Sequence, residues 1–324
     1  MSKKVAFITG ISGQDGSYLS EHLIELGYEI HGIVRRNSVP EHQESRIDHL
    51  AGNVKLYYGD LLDSIGLKRI IDTVAPDEIY NLAAQSHVKI SSEIPEFTSM
   101  VNAIGALGML EIVRSLGGEV KFYQASSSEM FGTAVDSDNY QRESTQMLPV
   151  SPYGCAKLFA FNVTKHYRVA YKLFTSNGIL FNHESPRRGS NFVTSKIIKT
   201  AVQIKLGKAD KLVLGNMDSQ RDWGHSKDYV KAMHLILAHE KPDDWVVSSG
   251  ETRTVRDLVI LVFEKLGLNY LDYVIQDPKF MRPEELPYLR GDSTKIRSVL
   301  GWKPKITFEE MINEMIEHWI KVLS

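Results

Sequence analysis

The most informative pair of side chains is a tyrosine and a lysine four positions apart, Tyr153 and Lys157. Both fall at the start of a predicted helix, where residues i and i+4 lie on one face. A tyrosine near its ordinary pKa of about 10 is a poor base, but a neighbouring ammonium lowers that pKa by favouring the phenolate. The pair could therefore deprotonate a substrate hydroxyl while a hydride leaves its carbon.

A second candidate for proton transfer follows a predicted strand that ends at Ala125. The next residues are three serines and an acid, Ser126 to Glu129. A hydroxyl from Ser127 or Ser128 could hydrogen-bond a reacting hydroxyl, and Glu129 could remove or return a proton on carbon. The alternative is a helix N-cap with an acid in its first turn. We favour the active-site interpretation because the residues stand at a strand end.

A glycine-rich loop joins the first predicted strand to the first predicted helix, between Thr9 and Gly16. Its glycines are spaced three apart, which permits a tight turn, close approach of the backbone to a pyrophosphate, and close packing of helix on strand. Free N–H groups and the helix dipole then face the phosphates. A plain glycine-rich turn is the alternative. We expect the following residues to bind a dinucleotide: Gly10, Gly13, Gln14, Asp15 and Gly16.

The residues after the second predicted strand indicate which dinucleotide binds. A site for NAD presents an acid to the ribose 2′-hydroxyl, whereas a site for NADP presents arginine to the 2′-phosphate. Here Val34 is followed by Arg35, Arg36, Asn37 and Ser38. Two guanidinium groups and two small polar side chains suit a phosphate. The loop therefore predicts NADP, with a solvated basic loop as the alternative.

Small and polar residues also follow the third and fourth predicted strands. Ligands bind at the carboxyl ends of strands in open α/β sheets, so both positions are candidates for cofactor contacts. An acid beside a leucine could bracket an adenine edge, and small residues would let the backbone pass beside the ribose and diphosphate. The candidates are Asp60, Leu61, Leu82, Ala84, Gln85 and Ser86.

A polar turn from Asn182 to Gly189 follows another predicted strand and contains a histidine, a glutamate and two arginines. We interpret the turn as donors to phosphates and expect no metal, because the sequence has no second ligand cluster to complete a metal site. Three basic residues further along are candidate diphosphate clamps, with plain surface positions as the alternative: Lys196, Arg221 and Arg282.

All these residues must be positioned by the elements around them, and the chain alternates short apolar strands with longer helical patterns up to residue 181. Such alternation predicts an α/β fold with a Rossmann-type doubly wound parallel sheet. After residue 182 the alternation weakens, although Trp245 to Val247 resembles a late strand that could rejoin the sheet. We expect one domain over 1–181 plus about 222–250, and a smaller, interleaved C-terminal domain over 182–221 plus about 251–324.

Composition and charge exclude several classes of protein. The chain has 324 residues, of which 43% are hydrophobic and 24% charged, and its formal charge is −2. That balance is typical of a globular protein and gives no global basic field for nucleic acid or an anionic membrane. The single cysteine, Cys155, excludes a disulfide framework, and we expect it only to pack. Since no leader and no apolar run of about 18 residues stands out, we expect a cytoplasmic protein.

Together these motifs resemble the extended short-chain dehydrogenase/reductase family and, within it, the GDP-mannose 4,6-dehydratase group. The similarity runs almost end to end, and its most specific parts are the segments 182–188 and 221–223. The resemblance implies a sugar-nucleotide 4,6-dehydratase that converts a GDP-mannose-type sugar to the GDP-4-keto-6-deoxy sugar by internal hydride transfer through NADP. It also implies that the first domain binds NADP and the second the GDP-sugar, in a homo-oligomer that is a dimer or a tetramer.

The resemblance assigns roles to the candidate residues as well. Ser127, Glu129 and Tyr153 would be catalytic, with Lys157 orienting the nicotinamide ribose. Tyr153 would take the proton of the C-4 hydroxyl, and Glu129 would remove the C-5 hydrogen while the C-6 hydroxyl leaves as water. The residues implied to contact NADP include Tyr153, Lys157, His183 and Arg188. Those implied to hold the GDP-sugar are Ser86, Ser127, Ser128, Glu129, Asn182, Lys196, Arg221, Arg282 and Glu285.

The substrate and the activity each keep alternatives. Ser127 stands where the mannose enzymes usually carry threonine, and the missing methyl could admit a larger sugar such as GDP-D-glycero-manno-heptose. A GDP-sugar 4-epimerase or 4-dehydrogenase would share Tyr153 and Lys157 but would not need Glu129. A non-enzymatic NADP-binding regulator is a further alternative, although such a protein would be free to lose its catalytic residues.

Overall fold

A seven-stranded sheet forms the centre of the molecule in the computed structural model, which describes residues 3–36, 46–117, 119–281 and 284–324. All neighbouring strands run parallel. In spatial order they are β11 (Asp244–Val247), β6 (Thr175–Leu180), β5 (Lys121–Ser127), β4 (Glu78–Asn81), β1 (Val5–Thr9), β2 (Glu29–Val34) and β3 (Val54–Tyr58). The predicted doubly wound parallel sheet is confirmed, and the late strand does rejoin it as β11.

Helices cover both faces of this sheet. They are α1 (Gln14–Glu25), α2 (Ser64–Val74), α3 (Val88–Glu93), α4 (Pro95–Ser99), α5 (Gly105–Ser115), α6 (Pro152–Ala170) and α8 (Ser226–Ala238). Each strand turns alternate side chains to opposite sides. Ile8 and Tyr123 therefore join a core with α1 and α8, whereas their neighbours Phe7 and Phe122 join a core with α2 and α5.

One helical run, Pro95–Ser115, connects α4 to α5 through a π-helical turn at Met100–Ile104. By length and composition alone it could cross a membrane, since it has 21 residues and a mean hydropathy of 1.2. However, 56% of its apolar window is buried inside the fold. A core helix has the same length and composition, so this run is weak evidence for a membrane span.

A second apolar core lies outside the sheet and contains buried residues such as Ile198, Val259 and Met315. Its helices are α7 (Val193–Lys205), α9 (Val255–Lys265) and α11 (Phe308–Leu323). α10 (Thr294–Leu300) comes between α9 and α11 in the chain but packs on the core of the sheet through Ile296 and Leu300. Thr254 and Thr307 begin α9 and α11 with capping boxes, which satisfy the first N–H groups of both helices. The predicted domain boundaries at 181, 221 and 250 stay predictions.

Short ladders join distant parts of the chain near this second core. Within the described ranges there are three, and each pairs two strands. They are β7 (Asn182–Glu184) with β10 (Trp223–His225), β8 (Leu212–Leu214) with β13 (Val274–Gln276), and β9 (Gln220–Arg221) with β12 (Arg253–Thr254). The first of these ladders brings the polar turn after β6 beside a segment about 40 residues further along the chain.

Candidate active site

A cavity of about 320 Å³ opens at the carboxyl ends of β4, β5 and β6. This is the edge where ligands bind in doubly wound sheets. Most of the predicted site residues line it: Asp15, Leu82, Ala84, Ser86, Ser127, Ser128, Glu129, Tyr153, Lys157, Asn182, His183, Arg188, Lys196, Arg221 and Glu285. One cavity therefore collects residues that the sequence spreads over 270 positions.

The other candidates fall into two groups. Those that the structure describes but that do not line the cavity are Gly10, Gly13, Gln14, Gly16, Arg35, Asp60, Leu61 and Gln85. Asn37, Ser38 and Arg282 lie outside the described residues, so their predicted contacts stay predictions.

The first turns of α6 carry Tyr153 and Lys157. Ser151 caps this helix by accepting a hydrogen bond from the Gly154 N–H at 3.0 Å. Lys157 Nζ lies 5.8 Å from the centroid of the Tyr153 ring and donates to the carbonyl oxygen of Ala125 at 3.0 Å. The two side chains thus share one helix face, as their spacing predicts.

Two expectations about this helix are wrong. We expected a lowered pKa for Tyr153, but burial raises that pKa to about 12, against a smaller lowering by a hydrogen bond from Ser127. Burial also lowers the pKa of Lys157 to about 8. Cys155, which we expected to pack, is exposed, because the helix that turns Tyr153 and Lys157 inward turns the residue between them outward.

Glu129 lies in the cavity wall against α6 and is only 7% exposed. It belongs to a short turn after β5, in which the Ser127 hydroxyl accepts a hydrogen bond from the Glu129 N–H at 3.2 Å. Gly154 lets the helix pack on this turn, because a Cβ there would lie 2.8 Å from the Glu129 carbonyl oxygen. The Ser127 hydroxyl therefore caps the turn, as the alternative predicts, and its side chain also lines the cavity, while its predicted catalytic role stays a prediction.

The loop between β1 and α1 requires glycine at two positions. Gly10 has a φ of +70°, and a Cβ there would lie 2.9 Å from the Ala83 nitrogen. A Cβ at Gly16 would lie 2.3 Å from the Gly10 carbonyl oxygen. Gly13 stands at the N-cap of α1 and offers no side chain to its first N–H groups. Those donors therefore remain available to an anion at the helix N-terminus.

His183 is a buried cation tied to this loop. Its Nδ1 lies 2.7 Å from the Phe181 carbonyl oxygen and its Nε2 lies 2.8 Å from Asp15 Oδ2. A carbonyl and an ionised carboxylate only accept hydrogen bonds, so both ring nitrogens carry protons. Burial disfavours both charges, but each partner outweighs it, so the pKa of His183 is raised and that of Asp15 is held well below its ordinary value. The Tyr229 ring stacks on the imidazole at a centroid distance of 4.6 Å.

Arg188 is oriented by two neighbours, Glu184 and Phe192. Its Nε lies 3.0 Å from the buried Glu184 carboxylate, in an ion pair without good hydrogen-bond alignment. Glu184 is held in turn by the Thr194 hydroxyl at 2.5 Å. The guanidinium lies 3.7 Å from the centroid of the Phe192 ring, which fixes its plane. Arg188 is thus a preorganised cation in the cavity wall.

Two of the predicted diphosphate ligands, Lys196 and Arg221, line the same cavity as α6. Lys196, on α7, donates from Nζ to the Val213 carbonyl oxygen at 2.7 Å. Arg221, on β9, donates to the Leu286 carbonyl oxygen at 2.8 Å. Glu285 precedes Leu286 and lines the same cavity. The structure thus brings together one lysine, one arginine and one acid from three separate segments.

Asp222 follows Arg221 in the chain and ties this segment to residues 249, 250 and 291, and sequence reasoning gave it no role. Its carboxylate accepts hydrogen bonds from the Ser249 N–H and hydroxyl at 2.9 and 2.6 Å, and from the Gly250 and Gly291 N–H groups at 2.9 and 3.3 Å. Burial nevertheless raises the pKa of Asp222 to about 6. The signal was present, since Asp222 stands inside the segment 221–223 that we had singled out as specific.

Other cavity residues gave no local signal. Lys89 lines the wall three positions after the candidates at 82–86, and Phe280 comes from a loop about 190 residues further along the chain. Only the folded chain shows that they are neighbours. Within the described part of the chain, no group of three histidine, cysteine or acidic side chains is placed to hold a metal ion.

A doubly wound sheet whose strand ends carry a glycine loop and a Tyr–Lys pair defines a Rossmann-type, nucleotide-binding enzyme. Comparison with known proteins is more specific. The family model for GDP-mannose 4,6 dehydratase matches residues 7–315. The chain therefore belongs to the GDP-mannose 4,6-dehydratase family, which confirms the resemblance seen in its motifs.

Individual relatives agree with this assignment. The chain is 50% identical over 327 positions to GDP-mannose 4,6 dehydratase 2 of Arabidopsis thaliana, covering 97% of this chain and 86% of that protein. It is 46% identical over 348 positions to the GDP-mannose 4,6 dehydratase of Homo sapiens, covering 99% and 92%. Among solved structures, a Thermus thermophilus UDP-glucose 4-epimerase complex with NAD is similar with a TM-score of 0.84 and 25% identity, covering 97% and 98%.

Proposed function

We propose that this enzyme removes water from GDP-mannose to give the GDP-4-keto-6-deoxy sugar, with the help of a bound nicotinamide dinucleotide. The observation that carries the assignment is the place of Glu129, a buried carboxyl in the same cavity wall as Tyr153 and Lys157. A 4-epimerase or 4-dehydrogenase has no step for an acid that takes a proton from carbon. The family match likewise does not favour those activities, the heptose substrate or a non-enzymatic regulator.

The glycine loop supports the dinucleotide. Gly10 and Gly16 stand where any Cβ would collide with backbone atoms, so the loop stays narrow enough for a pyrophosphate to approach. The N-terminus of α1 offers its N–H groups and its dipole to the phosphates. The residues proposed to hold this group are Gly10, Gly13, Gln14, Asp15, Gly16, Leu82, Ala84, Gln85, Ser86, Tyr153, Lys157, His183 and Arg188, with Asp60 and Leu61 towards the adenine.

Proton transfer at oxygen is the role of Tyr153. Hydride acceptance from C-4 and hydride return at C-6 are the chemistry that a nicotinamide dinucleotide supplies when bound. Tyr153 takes the proton from the C-4 hydroxyl as that carbon is oxidised, and Ser127 hydrogen-bonds the same oxygen. Lys157 is proposed to assist, because its Nζ lies 5.8 Å from the centroid of the Tyr153 ring and a positive charge near a phenol favours the phenolate. A fully buried phenol with a pKa near 12 needs such positive charge to act as a base at neutral pH.

Proton transfer at carbon is the role of Glu129. The ketone at C-4 acidifies the C-5 hydrogen, which the Glu129 carboxylate takes while the C–O bond at C-6 breaks and the hydroxyl leaves as water. Two protons leave the sugar, one from the C-4 hydroxyl to Tyr153 and one from C-5 to Glu129, and two are given back, one to the leaving hydroxyl and one to C-5 as C-6 is reduced. C-4 stays a ketone in the product. In the forward direction the net change is the loss of one water from the sugar.

The preference for NADP rests on the residues after β2. Arg35 and Arg36 are exposed directly beyond this strand, where a ribose 2′-phosphate would lie. Asn37 and Ser38 complete the proposed phosphate site but lie outside the described residues. We expect Arg35→Ala to weaken NADP binding about tenfold or more, with little change for NAD. Equal losses in titrations with NADP and NAD would contradict the assignment.

We assign the GDP-sugar to the part of the cavity that α7 and β9 line. Asn182, Lys196, Arg221 and Glu285 support this because they line the cavity beside the second apolar core. Arg282 belongs to the same proposal. In this arrangement the domain of 1–181 plus 222–250 binds the dinucleotide, and the domain of 182–221 plus 251–324 binds the GDP-sugar.

The enzyme is further proposed to be cytoplasmic and to assemble with copies of itself as a dimer or tetramer. An exposed apolar stripe supports the assembly: Ile94, Phe97, Met100 and Ile104 are 40–45% exposed and are spaced to share one face of the run that begins at α4. Met100→Glu should shift the molar mass measured by light scattering towards the monomer. An unchanged mass would show that copies meet elsewhere.

The test of the reaction is incubation with GDP-mannose in deuterated water. We expect a 4-keto-6-deoxy product that carries deuterium at C-5, with no net accumulation of reduced cofactor. A 4-keto product that keeps its C-6 hydroxyl, or stoichiometric reduced cofactor, would show a 4-dehydrogenase. Parallel incubation with GDP-manno-heptose compares the two sugars directly.

A further inference from the structure

Three lysines surround one aromatic ring at the edge of the cavity. The ring is Phe280, and the ammonium nitrogens of Lys196, Lys279 and Lys89 lie 4.4, 5.1 and 5.4 Å from its centroid. Lys89, Lys196 and Phe280 all line the cavity. Three like charges around one ring repel one another, so the arrangement needs compensating negative charge.

Only one of the three has an acid of its own. Lys279 pairs with Asp277 at 3.1 Å. Among the described residues, no carboxylate lies within 4.0 Å of the Lys89 or Lys196 ammonium, and each donates instead to a backbone carbonyl oxygen: Lys196 to Val213 at 2.7 Å and Lys89 to Lys279 at 3.2 Å. An ammonium has three donors, so two remain on each lysine.

The repulsion between these lysines contributes to the pKa of Lys196. Burial, and after it the charge of Lys89, lowers the pKa of Lys196. An anion between the two would reverse that effect. The protein nevertheless holds them in place, because Lys196 is carried by α7 and Lys89 by the short helix α3.

The ring between the lysines is also held in place. A Cβ at Gly215 would lie 2.7 Å from the Phe280 carbonyl oxygen, so the absence of a side chain lets this loop pack on the end of β8. Lys89 comes from the sheet region, whereas Lys196 and Phe280 come from the region of the second core. The lysine–phenylalanine cluster therefore spans both regions.

We infer that Lys89 and Lys196, on either side of Phe280, form an anion seat for the diphosphate of the nucleotide sugar, with Lys89 as an unassigned ligand from the sheet region. This rests on the proposed function. Two unpaired ammonium groups match the charge of a nucleoside diphosphate, which carries negative charge on both phosphates. The glycine loop at α1 offers a separate site for the dinucleotide's phosphates, so the seat is assigned to the sugar nucleotide. Substrate bound there links the two regions.

The test compares three matched substitutions in the full chain. Lys89→Met and Lys196→Met each remove an unpaired charge, whereas Lys279→Met removes a charge that Asp277 already neutralises beside the same ring. GDP, guanosine and NADP are titrated calorimetrically into each variant. We expect Lys89→Met and Lys196→Met to weaken GDP about tenfold or more, and Lys279→Met to change it by less than about twofold. Guanosine and NADP should bind all variants as they bind the wild type.

Each other outcome overturns a defined part of the inference. Equal weakening of GDP by Lys89→Met and Lys279→Met would show a general effect of surface charge. Weakening of NADP with GDP spared would assign the seat to the dinucleotide. Unchanged GDP binding in Lys89→Met would remove Lys89 from the site. Failure of the wild type to dehydrate GDP-mannose while it binds GDP would contradict the proposed function and leave the seat intact.

Discussion

The two sides of the cavity hold their charged side chains in different ways. On the side of the glycine loop, acids and bases are paired, as Asp15 is with His183 at 2.8 Å and Glu184 with Arg188 at 3.0 Å. Around Phe280, Lys89 of α3 and Lys196 of α7 each donate to a carbonyl oxygen, and among the described residues neither has a carboxylate within 4.0 Å. The first side is neutralised by the protein itself, whereas the second keeps positive charge that an anionic ligand must neutralise.

This difference predicts that substitutions on one side change the stability of the protein and substitutions on the other change its affinity for ligands. Breaking a buried pair leaves a charge without its partner, so changes on the paired side should act on stability. Removing an unpaired cation relieves repulsion, so changes on the other side should act on ligand affinity instead. The four predictions below test that separation.

The largest effect is expected at Glu129, which belongs to neither set of charged residues and is the proposed base for the C-5 proton. Glu129→Gln keeps the size of the side chain but cannot take the C-5 proton, so kcat should fall about 100-fold to 10,000-fold. Dissociation constants for GDP and NADP should stay close to those of the wild type. Glu143→Gln is the control, because Glu143 is a partly buried acid outside the cavity that accepts a hydrogen bond from the Val246 N–H. Normal turnover by Glu129→Gln would exclude the proposed role.

The second effect is on stability at the paired side. Asp15→Asn leaves the buried His183 cation without its carboxylate and should lower the free energy of unfolding by about 3 kcal/mol. The raised pKa of His183 stabilises the wild type fully below the ordinary histidine pKa of about 6.5, and this is lost as pH rises through the folded value. Asp15→Asn should therefore cost more at pH 6 than at pH 9 in urea unfolding.

An ion pair on the surface serves as the control for the Asp15→Asn experiment. Asp72 pairs with Lys68 one turn away on α2 and is largely exposed. Asp72→Asn should leave the unfolding midpoint nearly unchanged at both pH values. Similar losses from Asp15→Asn and Asp72→Asn would remove the distinction between buried and exposed pairs.

The third effect has the opposite sign and concerns Lys157. Its cation is buried and, among the described residues, has no carboxylate within 4.0 Å, so Lys157→Met should raise the free energy of unfolding by about 1 kcal/mol while it removes activity. The pKa of about 8 is below the ordinary lysine value, so the unfolded chain binds more protons above pH 8. Wild-type stability should therefore rise between pH 8 and about 10 through this group, and Lys157→Met should lose that rise. Lys165→Met, at an exposed position of α6, is the matched control.

The smallest effect is that of salt. Partly exposed charges are screened by added ions, whereas buried pairs are screened much less. Raising NaCl from about 0.05 to 0.5 M should weaken GDP binding several-fold but move the urea midpoint of the ligand-free protein only slightly. A large shift of that midpoint with unchanged GDP affinity would reverse the roles of the two sides.

The sequence predicted which residues meet in the cavity better than it predicted their pKa values. Parallel strands place their carboxyl ends at one edge, so residues that follow β4, β5 and β6 had to meet once the alternation was recognised. Even β11 could be anticipated from Trp245 to Val247. The rise in the pKa of Tyr153 could not be anticipated, because it depends on burial by segments that are distant in sequence.

The lysine–phenylalanine cluster also could not be predicted, because it joins residues that are distant in sequence. Lys89 and Phe280 are about 190 positions apart, and neither lies in a periodic pattern that links them. Their proximity depends on Gly215 and on the ladder of β8 with β13. Asp222 could be predicted in part. It stands in the segment 221–223 that the sequence singled out, but its four hydrogen-bond donors come from residues 249, 250 and 291, which no local pattern indicates.

The return of the chain to the sheet at β11 limits how such enzymes can be recombined. The sheet takes strands from 5–180 and again from 244–247, with α8 packed on it before that last strand. The second core takes α7 before this return, and α9 and α11 after it. A chimera that exchanged the second core for that of a relative would need five crossovers, because α8 with β11 and later α10 each return the chain to the core of the sheet. If a single exchange replaced only the end of the gene, helices of the second core from one parent would have to pack against helices of that core from the other parent.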